Sequence, residues 1–66
     1  MPTLSLRETR ILQGLCEGLS NKAIALLLGI SEQSVKNCLV LIYARLGVQD
    51  RLQAALRAIE LGLVER

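Results

Sequence analysis

Ser5, Ser20, Ser31 and Asp50 each stand directly ahead of a run of apolar residues with helical spacing, and a glycine follows each run. This punctuation restricts the chain more than any other feature, because it divides 66 residues into four short helices. A Ser or Asp side chain accepts a hydrogen bond from an unpaired N–H of the first turn, and glycine tolerates the left-handed conformation in which helices often end. Ser5 with Glu8 has the capping-box spacing and predicts a first helix over about 6–17 that stops at Gly18. Ile11, Leu12, Leu15 and Leu19 give it one buried face, with Gly14 inside it at a cost of ~1 kcal/mol relative to Ala. Ser20 predicts a second helix over about 21–28, with Ile24, Leu27 and Leu28 pointing inward and Ala23 where a full capping box needs a carboxylate. After the turn at Gly29 and Ile30, Ser31 caps a third, longer helix over about 32–45. Val35, Leu39, Ile42 and Leu46, spaced four, three and four, are its core stripe, and Gly47 ends it. Asp50 with Gln53 opens a fourth helix over about 51–61 that Gly62 ends. The expected fold class is all-α: one four-helix domain over 1–66.

Composition agrees. Of the hydrophobic residues 15 are Leu, six Ala and five Ile, and Tyr43 is the lone aromatic, a mix that favours helix over sheet. The longest apolar stretch, Ala23 to Ile30, is eight residues, against about 18–20 for a bilayer span, so no membrane is expected as a partner. Met1-Pro2-Thr3 has no basic region followed by an apolar run, as a secretory signal requires. Cys16 and Cys38, 22 residues apart, are expected to be reduced thiols in a cytoplasmic protein. With no histidine there is no Cys/His zinc site, and no metal or cofactor is expected. Catalysis is not expected either. There is no Gly-rich phosphate loop or Cys-x-x-Cys, and the acids at 8, 17, 32, 50, 60 and 65 form no pair on one face.

The second and third helices, joined across Leu28-Gly29-Ile30-Ser31, have the spacing of a helix-turn-helix, whose second member can enter the DNA major groove. With Val35, Leu39 and Ile42 buried, Gln33, Lys36, Asn37 and Val40 face outward. Gln and Asn suit adenine, Lys suits guanine or phosphate, and an aliphatic group suits the thymine methyl. A plain helical hairpin in a small bundle would use the same turn, and a net charge of +2 permits DNA binding without requiring it.

At this point the chain resembles the LuxR/FixJ-type DNA-binding domain of bacterial transcription regulators, from Leu4 to Val64. The resemblance is carried by Leu4-Ser5-Leu6-Arg7-Glu8, by Gly18-Leu19-Ser20-Asn21-Lys22-Ala23-Ile24-Ala25 and by Ile30-Ser31-x-x-Ser34-Val35-Lys36. Leu46-Gly47-Val48, Arg51, Gln53-Ala54-Ala55 and Gly62-Leu63-Val64 complete it. It implies that Lys36, Asn37 and Val40 occupy groove-facing slots and that Lys22, Ser34 and Arg45 lie near phosphates. It also implies a dimer contact on the fourth helix and either a parent with an N-terminal receiver or sensor domain or a free-standing member of the family. Three lysine or arginine contacts per subunit, from Lys22, Lys36 and Arg45, correspond to a salt slope of about −2.7.

Three departures stand out. Cys38 replaces a common His that can donate to phosphate, Val40 and Leu41 are apolar in slots often polar or basic, and Ala23 stands where an acid is usual. On the fourth helix Leu52, Leu56 and Ile59, spaced four and three, form a second apolar stripe beside Ala54, Ala55 and Ala58. Three large aliphatics in a row on one face suggest a two-fold dimer interface; the alternative is a wider buried face against the first helix. An ion pair between Glu8 and Arg51 is expected to tie the first helix to the fourth. The expected function is sequence-specific binding of double-stranded DNA as a homodimer on an inverted repeat. The alternative is a protein-interaction module of the same shape that uses Val40 and Leu41.

Overall fold

The computed structural model describes residues 3–64, so Met1, Pro2, Glu65 and Arg66 lie outside the described residues. Helix α1 spans Leu6–Cys16, α2 Asn21–Leu28, α3 Glu32–Leu46 and α4 Arg51–Glu60, with no strand among the described residues. Each expected boundary is met within one residue. The caps explain the agreement. Ser5 Oγ accepts from the Glu8 N–H at 3.1 Å, and Glu8 Oε1 accepts in return from the Ser5 N–H at 2.9 Å. The Ser20 and Ser31 hydroxyls accept from Ala23 and Ser34 at 3.1 and 3.0 Å. Asp50 accepts from Gln53 at 2.8 Å, but the reciprocal arm reaches one residue further out, where the Gln49 N–H donates to Gln53 Oε1 at 3.0 Å.

The core forms where all four helices converge. Ile11, Leu12, Ile24, Val35 and Ile42 are fully enclosed, and Leu15, Ala25, Leu39 and Leu46 surround them. Ala54 and Ala58 are fully buried, and their small side chains let α4 pack closely on the others. Gly14 serves the same purpose on α1. A methyl group there would lie 2.9 Å from Ile24 Cγ1 and 3.3 Å from its Cδ1, so the absence of a side chain sets how closely α1 approaches α2.

Gly29 closes α2 in the left-handed conformation at φ 68°. From there the chain turns through 108° into α3, within the 90–120° of a helix-turn-helix. Among the described residues no single helix is long and apolar enough to cross a membrane.

Two expectations are corrected. Leu27, expected to point inward, is 72% exposed, and Ala25 takes its place in the core. At about 100° per residue, Ile24, Leu28 and Ala25 define an arc centred between Ile24 and Ala25, and Leu27 falls some 105° off that centre. The second correction concerns the ion pair. Glu8 pairs with Arg45 of α3, at 2.5 Å, and not with Arg51. Arg51 instead donates to the Leu19 carbonyl and, at 3.4 Å, to Asn21 Oδ1, fastening the start of α4 to the α1–α2 connection.

Candidate nucleic-acid interface

The outward face of α3 follows from its period. With Val35, Leu39, Ile42 and Leu46 buried on one side, 3.6 residues per turn places Gln33, Asn37, Val40 and Ala44 opposite them. All four are exposed. Lys36, also exposed, lies on one flank of this stripe; Ser34, half-buried, and Arg45 lie on the other. The expected base-facing residues Gln33, Lys36, Asn37 and Val40 therefore share one accessible surface. Lys22 is exposed on α2, whose C-terminal end leads through the turn into α3.

Several of these side chains are already engaged. Gln33 Nε2 donates to Asn37 Oδ1 at 3.0 Å across one helical turn. Ser34 Oγ accepts from the Ser31 hydroxyl at 2.9 Å, which leaves the Ser34 O–H available as a donor. Arg45 is held by Glu8, with a second, longer contact to the Thr3 carbonyl at 3.5 Å. Glu8 is 6% exposed. Its carboxyl is held below the usual range, chiefly by the Ser5 backbone N–H and further by the Arg45 charge, against the opposing effect of desolvation. Arg45 thus carries a charge already neutralised within the fold, which nothing in the α3 pattern discloses.

The remaining apolar surface divides in two. Val40 and Leu41 on α3 are 66% and 54% exposed. On α4, Leu52 and Leu56 are exposed and Ile59 is half-buried, so the expected second stripe is present, fullest at its first two positions. A hollow of about 390 Å³ lined by Leu15, Cys16, Arg51, Leu52 and Ala55 lies beside it. A second, of about 360 Å³, includes Gly47, Val48, Leu56 and Arg57. Cys16 is half-buried, with its thiol 3.8 Å from the Ala55 carbonyl. Burial, helped by the Glu17 charge, pushes that thiol up despite Arg51. Both cysteines are free, and no cluster of His, Cys, Asp and Glu among the described residues could hold a metal. Arg7 and Arg10 line a smaller hollow with Leu6 and Leu28.

Residues 2–58 match the family model for bacterial regulatory proteins of the luxR family. The chain is 39% identical over 61 residues to the transcriptional regulatory protein YdfI of Bacillus subtilis, covering 92% of this chain and 29% of that protein. It is 44% identical over 55 residues to the DNA-binding transcriptional activator DevR/DosR of Mycobacterium tuberculosis, covering 83% of this chain and 25% of that one. The chain thus spans under a third of the length of the curated relatives it matches. Among solved structures it superposes on the transcription factor GerE with a TM-score of 0.88 and 39% identity, covering 94% of this chain and 92% of that one. The response regulator ChrA of a heme-sensing two-component system gives a TM-score of 0.90 and 48% identity, covering 96% and 31%. By the family match over most of its length, its relatives and the shared fold, the chain belongs to the luxR family of bacterial regulatory proteins, as a LuxR-type DNA-binding domain of a transcription regulator and not an enzyme.

Proposed function

We propose that the domain reads a specific sequence in double-stranded DNA by laying α3 in the major groove, as a homodimer on an inverted repeat. The observation that carries this reading is the exposed stripe of Gln33, Asn37 and Val40, flanked by Lys36, on a helix held at 108° to its predecessor. The major groove is about 12 Å wide and accepts one helix. Asn37, Val40 and Gln33 would face base edges, with Lys36 reaching guanine or phosphate. Lys22 and the Ser34 hydroxyl would contact phosphates, as would Arg45 to the extent that Glu8 releases it. Of the three expected cationic contacts, Lys22 and Lys36 make no ion pair among the described residues, and these two give each subunit a salt slope of about −1.8, shallower than the three-cation expectation.

The exposed Leu52 and Leu56 and the hollows beside them support a dimer contact through α4, to which Ile59 adds its exposed part. Two-fold pairing would place half-sites about 10 bp, one helical turn, apart. The domain makes up under a third of YdfI and of ChrA, which supports a place behind an N-terminal receiver or sensor domain in a cytoplasmic regulator, whereas GerE, covered to 92%, supports a free-standing domain.

The test is fluorescence anisotropy on random-sequence duplex DNA across a salt series. Binding should weaken with salt, and Lys36→Ala should make the slope shallower by about 0.9. A folded domain that does not bind at low salt would instead favour an interaction module. The exposure of Val40 and Leu41 supports that second reading, in which those two residues contact a protein and Lys36→Ala changes nothing.

A further inference from the structure

We infer that Gln33 is a positioning residue, which fixes the carboxamide of Asn37 for the recognition of adenine. The inference rests on the DNA-binding reading above and extends it to the identity of one base.

An asparagine carboxamide has an oxygen with two lone pairs and an NH₂ with two hydrogens. Its terminal torsion is broad and roughly two-fold, so the free side chain exchanges the positions of Oδ1 and Nδ2 readily. Adenine presents an acceptor, N7, beside a donor, N6–H₂, in the major groove. Guanine presents two acceptors, cytosine a donor, and thymine an acceptor beside a methyl group. An asparagine free to turn can meet any of these with one hydrogen bond. Only an asparagine held in one sense offers adenine both of its partners without an ordering cost at the moment of binding.

Gln33 supplies that restraint. Its Nε2 donates to Asn37 Oδ1 at 3.0 Å, and both residues lie on the exposed stripe opposite the core. One lone pair of Oδ1 is thereby used. The other lone pair and both Nδ2 hydrogens remain, which is the complete set a bidentate contact to adenine needs. In water such an i,i+4 amide pair is weak, worth about a factor of two in population. Exclusion of water from the groove strengthens it. Gln33 keeps its second Nε2 hydrogen and its Oε1, so the double variant separates its action through Asn37 from a base contact of its own.

The test is selection of duplexes from a random-core library by the wild-type domain, Gln33→Ala, Asn37→Ala and the double variant, followed by anisotropy on the selected duplexes. All substitutions are at exposed positions, and circular dichroism verifies folding. In the wild type one base pair per half-site should show an adenine preference that Asn37→Ala abolishes, a loss of roughly tenfold or more. Gln33→Ala should reduce the same preference about two- to five-fold at that pair alone, with the salt slope unchanged. Added to Asn37→Ala, it should do nothing further. Adenine preference that survives Gln33→Ala intact overturns the inference. So does a Gln33→Ala effect at another base pair, or one that persists in the Asn37→Ala background, since Gln33 would then contact DNA itself. A folded wild type that enriches no sequence overturns the DNA reading and this inference with it.

Discussion

Gly14→Ala sets local and tertiary physics against each other, and the two predict opposite signs. In an isolated helix, alanine is better than glycine by about 0.8–1 kcal/mol. In the folded domain the new methyl would lie 2.9 Å from Ile24 Cγ1 and 3.3 Å from Cδ1. The contact atom is next to the β-carbon of a β-branched side chain, not the end of a flexible one. Ile24 is 1% exposed and packed in the core, so either α1 and α2 must separate or its rotamer must shift. Overpacking of this kind costs about 1–3 kcal/mol, which leaves a net loss of about 1 kcal/mol. For a domain of this size that lowers Tm by roughly 4–8 °C. The assay is thermal and urea denaturation followed by circular dichroism. In an Ile24→Ala background the obstructing atoms are gone, and Gly14→Ala should there stabilise by about 1 kcal/mol. A rise in Tm on Gly14→Ala in the otherwise native chain would refute the reasoning and show that α1 and α2 have slack at this crossing.

Three further outcomes are expected. Glu8 has a lowered pKa, so its contribution to stability is present above the ordinary carboxyl range, near pH 4.5, and is lost as pH falls through its folded value. Melting temperatures from pH 3 to 7 should therefore fall more steeply on the acid side for the wild type than for Glu8→Gln, and parallel curves would remove Glu8 from the account. Arg45→Ala should leave the salt slope of DNA binding nearly unchanged, because Glu8 already neutralises that charge, whereas Lys36→Ala makes it shallower by about 0.9; equal changes would show that Arg45 is released to phosphate. Leu52→Glu with Leu56→Glu should leave the fold intact, both sites being exposed, but should shift sedimentation to the monomer and weaken binding to a two-half-site duplex far more than to a single half-site.

The order and ends of the helices were legible in the sequence because they are local. Each cap bonds the residue three places on, and the glycine that ends a helix acts at its own φ. The outward stripe of α3 was legible for a related reason: Val35, Leu39, Ile42 and Leu46 establish the buried side, and helical geometry then places Gln33, Asn37 and Val40. The partner of Glu8 was not legible. Arg51 of α4 was its expected partner, and only the docking of α3 beside α1 brings Arg45, 37 residues away, to the same carboxylate. Leu27 and Ala25 exchanged places because a run of consecutive apolar residues leaves the phase of a short helix undetermined until its neighbours choose an arc. Gly14 makes the same point most sharply. From the sequence it is a weak residue in a helix, while in the fold it is where an added methyl would meet Ile24 of α2 at 2.9 Å. Local chemistry thus determined where each helix begins, where it ends and which side of α3 faces out. Tertiary packing decided which charges are spent inside the protein and which remain free for DNA, because those pairings depend on distances between helices that no single helix contains.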